Sequence, residues 1–150
     1  AQEIAVVDRG RLTPPMDKHE LFRRPGTRAA TILTGCKNIS AARRADAEHV
    51  EATDWGITLR TAESTSDVQH IAIRAHSLMP AQTDGENVFP ARVAEVIEST
   101  FTYIVMLRFA DGAVPIRWET DKAVWRSLHA AEGAVLHFRF PAEELMLLAD

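Results

Sequence analysis

The stretch Phe101-Thr-Tyr-Ile-Val-Met-Leu-Arg-Phe109 decides the fold class of this chain. Successive side chains of a strand point to opposite faces, which places Tyr103 and Val105 on one face of this stretch. The opposite face carries Ile104 and Met106 and is also largely apolar. A short run that is apolar on both faces predicts a central strand of a closed barrel.

Further segments of strand character surround this one. The turn Ala110-Asp-Gly112 follows it directly and predicts a hairpin. Other predicted strands lie at residues 38–45, 50–52, 57–61, 68–74, 114–118, 135–140 and 145–148. Short strands at such regular spacing are typical of an OB-like or Greek-key barrel. We therefore predict a mainly β fold, built of OB-like β-barrel modules with a few short helices.

Three short segments have helical character instead, at residues 18–24, 27–33 and 121–129. In the last of them Thr120 is the predicted N-cap, and Val124, Trp125 and Leu128 form the predicted inward stripe. Residues 91–99 fit either a strand or a helix, because their apolar positions also have helical spacing.

Composition limits the classes of partner. The chain has 150 residues, is 46% hydrophobic and has a formal net charge of −4. A mildly acidic chain argues against a nucleic-acid partner, since clustered Lys and Arg supply most of that affinity. The single cysteine, Cys36, excludes a disulfide within the chain and a cysteine-based zinc site, and it favours a reducing, cytoplasmic compartment. We interpret Cys36 as a small buried hydrophobe in preference to a ligand-facing thiol.

No enzyme motif is found. A phosphate-binding Walker A loop needs a Gly-Lys pair, and none of the 7 glycines is followed by lysine. The six histidines include no pair at the i, i+4 spacing of a helical metal site, and no serine lies in a G-x-S-x-G elbow. The sequence therefore predicts no catalytic residue, no metal site and no cofactor in this chain.

A family resemblance is carried by several motifs. Ile4-Ala-Val-Val-Asp-Arg-Gly-Arg11, followed by Lys18-His-Glu-Leu-Phe-Arg-Arg-Pro25, resembles the last strand and helix of an ABC-transporter ATPase domain. Next, Thr34-Gly-Cys-Lys-Asn-Ile-Ser40, Trp55-Gly56 and Ile71-Ala-Ile-Arg74 resemble the regulatory region of molybdate, tungstate and sulfate importers. The chain from Asn87 to Leu148 is similar to a TOBE module, a small barrel related to Mop molybdate-binding proteins. For residues 91–99 this resemblance favours a strand.

The resemblance implies an organisation and a role. Residues 1–26 would be the remnant of the nucleotide-binding domain, 27–80 a first OB-like module and 84–150 a TOBE/Mop-like module, with strands shared between modules. The chain would be a non-catalytic regulatory and dimer-contact domain of an oxyanion importer's ATP-binding subunit. Its partners would be a second ATPase subunit, the membrane permease subunits and an oxyanion, at the cytoplasmic side of the inner membrane. ATP and Mg would belong to the parent subunit.

The resemblance also implies a ligand site. Thr83 and Asn87 before the last module, together with Thr120 and Lys122, would supply donors to an oxyanion. Asp84 and Glu86 beside them would repel it. Without a ligand, Thr120 is a helix cap, Lys122 a solvated residue and Asn87 a turn former, and Trp118 and Trp125 are core or interface anchors.

Two other functions stay open. One is a stand-alone OB-like module that binds small anions or oligonucleotides, and the other is the same domain of a sugar or polyamine importer. No repeat of fixed period is found, and we keep open that the two modules are distant versions of one plan.

Overall fold

The computed structural model describes residues 27–150 and four short N-terminal strands. These strands are β1 (Glu3–Ile4), β2 (Val7–Asp8), β3 (Arg11–Leu12) and β4 (Met16–Asp17). They form two antiparallel pairs, β1 with β4 and β2 with β3. The predicted helix at residues 18–24 lies outside the described residues.

Residues 38–148 form two five-stranded antiparallel sheets with only short helices between strands. The first sheet has the order β14-β8-β5-β6-β7 and the second the order β12-β11-β10-β13-β9. Strands of the first half of the chain are β5 (Asn38–Arg44), β6 (His49–Ala52), β7 (Ile57–Arg60), β8 (His70–Ile73) and β9 (Met79–Ala81). Those of the second half are β10 (Val88–Glu98), β11 (Thr102–Arg108), β12 (Ile116–Asp121), β13 (Val135–Arg139) and β14 (Met146–Leu148). The prediction of a mainly β, OB-type fold is confirmed.

The two sheets exchange their last strands. β9 leaves the first half of the chain and pairs with β13, whereas β14 leaves the second half and pairs with β8. This confirms that the β modules share strands. The module bounds 27–80 and 84–150 stay a prediction.

The predicted central strand and its hairpin are confirmed. β11 lies between β10 and β12 and is joined to β12 by a turn that contains Gly112 at φ +73°, a left-handed conformation that glycine adopts without steric cost. The ambiguous segment 91–99 is part of β10, which is bulged between Val93 and Glu95.

Aromatic side chains fill the core. Trp118 packs edge-on against Phe138 with ring centroids 4.8 Å apart, and Phe109 packs against Phe140 at 5.0 Å. Trp118 is only 1% exposed, and Trp125, at 6% exposed, packs against it. Both tryptophans are therefore core residues in this chain, each of them contributing roughly 2–3 kcal/mol through buried apolar surface.

The helices are short. α1 (Arg28–Leu33) has Thr27 as its N-cap, whose Oγ1 accepts from the Ala30 amide at 3.1 Å. α2 (Lys122–Ser127) begins one residue later than predicted, with Asp121 at the N-cap position. The prediction that Thr120 caps it is wrong, because Thr120 is still paired with Tyr103 in the β11–β12 ladder. Val124 is 37% exposed, so the inward side of α2 rests on Trp125.

A single turn of 3₁₀ helix at Ala142–Glu144 precedes β14. Among the residues that the structure describes, no helix is both long enough and apolar enough to cross a bilayer.

Candidate anion-binding site

Asn38 joins the two sheets at one end of the molecule. It opens β5, is 4% exposed, and its Nδ2 donates to the Arg117 carbonyl at 2.8 Å while its Oδ1 accepts from the Arg117 amide at 2.8 Å. The side-chain amide of Asn38 thus bonds the backbone of β12 as a neighbouring strand would. It supplies partners for two partly buried backbone groups of Arg117.

The chain turns sharply just before Asn38. α1 ends at Leu33, and Gly35 follows at φ +89°, a conformation that favours glycine. The Gly35 amide donates to the Ile32 carbonyl at 2.9 Å. This turn places Lys37 between the end of α1 and the start of β5.

Arg74 forms hydrogen bonds to this turn. It follows β8 directly, and its Nη1 donates to the Thr34 carbonyl while its Nη2 donates to Thr34 Oγ1, both at 2.9 Å. Two parallel bonds from one planar guanidinium fix its orientation. A cation is therefore held rigidly beside Lys37.

These residues line one cavity of about 260 Å³. Its lining comprises Thr34, Gly35, Lys37, Arg74, Ala75, His76, Arg117 and Glu119. Three of these side chains are cationic and one is a carboxylate. At about 30 Å³ per molecule of liquid water, the volume has room for a four-oxygen anion with ordered water.

The chemistry of this lining suits an oxyanion. Lys and Arg donate short, charge-assisted hydrogen bonds to anionic oxygens, and a dianion needs several such donors to replace its hydration shell. Glu119 opposes this, although its Oε1 already accepts from Thr102 Oγ1 at 3.1 Å. The cations outnumber the carboxylate, so the lining has a net positive formal charge.

Cys36 lies below the turn and leaves the charge of the cavity unchanged. It is 5% exposed, and its Sγ donates toward the Ile73 carbonyl at 3.4 Å. Burial raises the pKa of the thiol, while the backbone hydrogen bond to Asn38 and the charge of Arg74 lower it less. The thiol therefore stays neutral, and its interpretation as a small buried hydrophobe is confirmed.

The residues that the sequence predicted as anion ligands lie elsewhere. Asn87 is 8% exposed and uses its amide internally: Oδ1 accepts from the Arg60 amide at 2.8 Å, and Nδ2 donates to the carbonyls of Arg60 and Phe140. Thr83 lines a second cavity of about 410 Å³ next to Asp84 and Glu86.

The other two predicted ligands lie around the start of α2. Thr120 is in β12, and Lys122 Nζ donates to Glu98 Oε2 at 2.8 Å. Thr83 lines the second cavity, whereas Asn87 is not part of its lining. An anion-binding role for these four residues stays a prediction.

Sequence reasoning did not assign Lys37, Arg74 and Arg117 to a site. Lys37 lies within the motif Thr34–Asn38, and Arg74 lies within the motif Ile71–Arg74. The lysine next to Asn38 was a signal in the sequence that could have indicated a site. Arg117 had no such signal, because its link to Asn38 spans 79 positions of the chain.

Comparisons with known proteins agree with the fold. No family model matches the chain, and no curated protein matches it significantly. Among solved structures, the chain resembles a small mainly β protein at a TM-score of 0.57 and 14% sequence identity, over 75% of this chain and 96% of the other. Fold and topology thus define the chain as an OB-type β-barrel domain.

That solved structure is the cytoplasmic molybdate-binding protein ModG, in a crystal form with molybdate bound. At this level of identity the likeness establishes the shared fold.

Proposed function

We propose that this chain is a non-catalytic OB-type domain that binds a tetrahedral oxyanion in the cavity of Lys37, Arg74 and Arg117. The observation that carries this proposal is the convergence of three cations from separate segments on one cavity. The Arg74 guanidinium is held by two hydrogen bonds to Thr34, and Asn38 holds the backbone of Arg117, from which its side chain reaches the cavity. Positioned cations that need little reordering on binding are what an anion site requires.

Molybdate is the first ligand to test, followed by tungstate and sulfate. The fold likeness to a molybdate-binding protein supports molybdate, and the motifs Thr34–Asn38 and Trp55-Gly56 support the wider oxyanion group.

We further propose that the parent protein is the ATP-binding subunit of an ABC importer. The support is the N-terminal resemblance of residues 4–11 and 18–25 to the end of an ATPase domain. In that setting the domain would pair with a second subunit, act with the membrane permease subunits, and lie at the cytoplasmic face of the inner membrane. Bound oxyanion would then report cargo supply by favouring one arrangement of the ATPase pair, provided that its affinity differs between arrangements.

Isothermal titration calorimetry of the 150-residue chain with molybdate, tungstate and sulfate tests the proposed site. Saturable binding that is lost in Lys37→Ala and retained in Lys122→Ala places the ligand at the proposed cavity. The matched control for the loss of one cation is Arg126→Ala, whose side chain is 64% exposed on α2. Binding that is lost in Lys122→Ala and retained in Lys37→Ala would overturn the site, and no binding of any oxyanion would overturn the function.

A further inference from the structure

The two halves of the chain have the same topology. Their sheets have the same strand order, with the exchanged strand at the edge in each: β14-β8-β5-β6-β7 and β9-β13-β10-β11-β12. The residue register of the exchanged strands is also the same. Met79 is paired with Arg139, and Met146 is paired with Ala72. The same shift along the chain leads from Met79 to Met146 and from Ala72 to Arg139.

Buried residues confirm this correspondence. Leu78 and Leu145, which precede the two methionines, are 2% and 1% exposed. Ile73, the last residue of β8, and Phe140, which directly follows β13, are both fully buried. The shift also relates Arg74 to Pro141 and His76 to Glu143.

The two buried asparagines are equivalent as well. Asn38 is paired with Ile73 between β5 and β8, and Asn87 exchanges hydrogen bonds with Phe140. Each asparagine then bonds the backbone amide and carbonyl of an arginine in the other half, Arg117 for Asn38 and Arg60 for Asn87. The geometry that holds the anion cavity is therefore present twice.

The second cavity is the counterpart of the first. Thr83 takes the place of Thr34, and Ala142 the place of Ala75. The second cavity has carboxylates at three of the equivalent positions: Glu86 in place of Lys37, Glu143 in place of His76 and Asp84 in place of Gly35. Three carboxylates and one guanidinium, that of Arg139, line this second cavity.

Arg60, the equivalent of Arg117, is outside this lining and is paired with carboxylates. Arg60 Nη1 donates to Glu86 Oε1 at 2.8 Å, and Arg60 Nε lies 4.0 Å from Glu48 Oε2. The hydrogen bond to Glu86 and its charge raise the pKa of Arg60, so the guanidinium is engaged by carboxylates. At the first cavity the equivalent Arg117 instead lies near another cation, Lys37.

We propose that the two cavities are copies of one anion-binding site, each called a cradle here: the first is lined by Lys37 and the second by Glu86. The side-chain charges at the equivalent positions 37 and 86, and 76 and 143, determine that only the first cradle binds an oxyanion. The natural chain then binds one oxyanion, in the Lys37 cavity, and none in the second cavity. The claim that the natural chain binds one oxyanion rests on the proposed function. The claim that the second cradle can bind an oxyanion after substitution does not.

A transplant of side chains tests this inference. The variant Asp84→Gly/Glu86→Lys/Pro141→Arg/Glu143→His gives the second cradle the residues of the first. Calorimetry with molybdate should give one site per chain for the natural protein and two for this variant. Adding Lys37→Glu to the variant should return the count to one.

The outcomes separate the two proposals. No site in the natural chain and one in the variant would reject the proposed function and retain the inference. Two sites in the natural chain, or no gain in a folded variant, would overturn the inference. If the fourfold variant does not fold by circular dichroism, Glu86→Lys alone decides. It replaces an exposed carboxylate and should create a second, weaker site, whereas Glu86→Gln, the matched control without the added cation, should create none.

Discussion

The side-chain amide of Asn38 exchanges two 2.8 Å hydrogen bonds with the backbone of Arg117, which lies 79 positions further along the chain. This contact links β5 to β12 and holds the backbone of Arg117, whose side chain lines the cavity. If the cavity binds an anion as proposed, Asn38 contributes both to stability and to anion affinity.

Asn38→Ala should lower both properties. It leaves the partly buried amide and carbonyl of Arg117 without their side-chain partner, at about 1 kcal/mol for each lost hydrogen bond. Urea denaturation should show this loss, and calorimetry should show weaker molybdate binding. The control is Asn87→Ala, which breaks the equivalent link to Arg60. It should destabilise the fold to a similar extent and leave the affinity unchanged; lost binding in a folded Asn87→Ala protein would instead favour Asn87 as a ligand.

Gly56 of the first half faces Ala110 of the second half at close range. A Cβ added at Gly56, which has φ +73°, would lie 2.7 Å from the Ala110 Cβ. Gly56→Ala should therefore lower the free energy of unfolding by about 2–4 kcal/mol, the sum of backbone strain and overpacking. Gly112→Ala has the same φ and no neighbour within 4 Å, so it should cost only about 1–2 kcal/mol.

Thermal and urea denaturation of these variants measure the difference. Adding Ala110→Gly to Gly56→Ala should recover the overpacking part, because it removes the opposing Cβ atom. Equal losses for Gly56→Ala and Gly112→Ala would contradict a steric contact between the two turns.

Glu119 is the one carboxylate in the lining of the Lys37 cavity. Glu119→Gln should tighten molybdate binding by about tenfold, since removing one like charge near a partly solvated anion is worth on the order of 1 kcal/mol. Glutamine keeps an oxygen for the hydrogen bond from Thr102. Calorimetry at low and high salt measures the gain, which should shrink at high salt. An unchanged affinity would mean that the anion does not approach this carboxylate.

The Glu98–Lys122 pair gives a pH-dependent contribution to stability. The hydrogen bond from Lys122, its charge and the charge of Arg126 lower the pKa of Glu98 from 4.5. Because the pKa is depressed in the folded state, the stabilisation is present above the unfolded pKa and is lost as the pH falls through the folded pKa. Melting curves of the natural chain and of Glu98→Gln should differ slightly at pH 6–7 and converge at acidic pH. A gap that widens on acidification would contradict this assignment.

Local patterns in the sequence were sufficient to predict the main strands. Alternation predicted β11, β13 and the hairpin after Phe109, because strand periodicity is a property of neighbouring residues. Thr120 shows the limit of this approach: it has the side chain of a cap, but a hydrogen-bonded partner in β11 keeps it in the strand. Asn87 was predicted as a ligand from its motif, and only its contacts with Arg60 and Phe140 reveal that its amide is occupied.

The sequence by itself determined that this is a mainly β, OB-type chain, since the spacing of apolar residues dictates which faces must be buried. The tertiary structure alone decided which strands are exchanged, and with them the two equivalent cradles. It also brought Lys37, Arg74 and Arg117 to one cavity while placing Glu86 against Arg60 at the other. The physical reason is that strand pairing and electrostatic attraction act between residues that are close in space, whatever their separation along the chain.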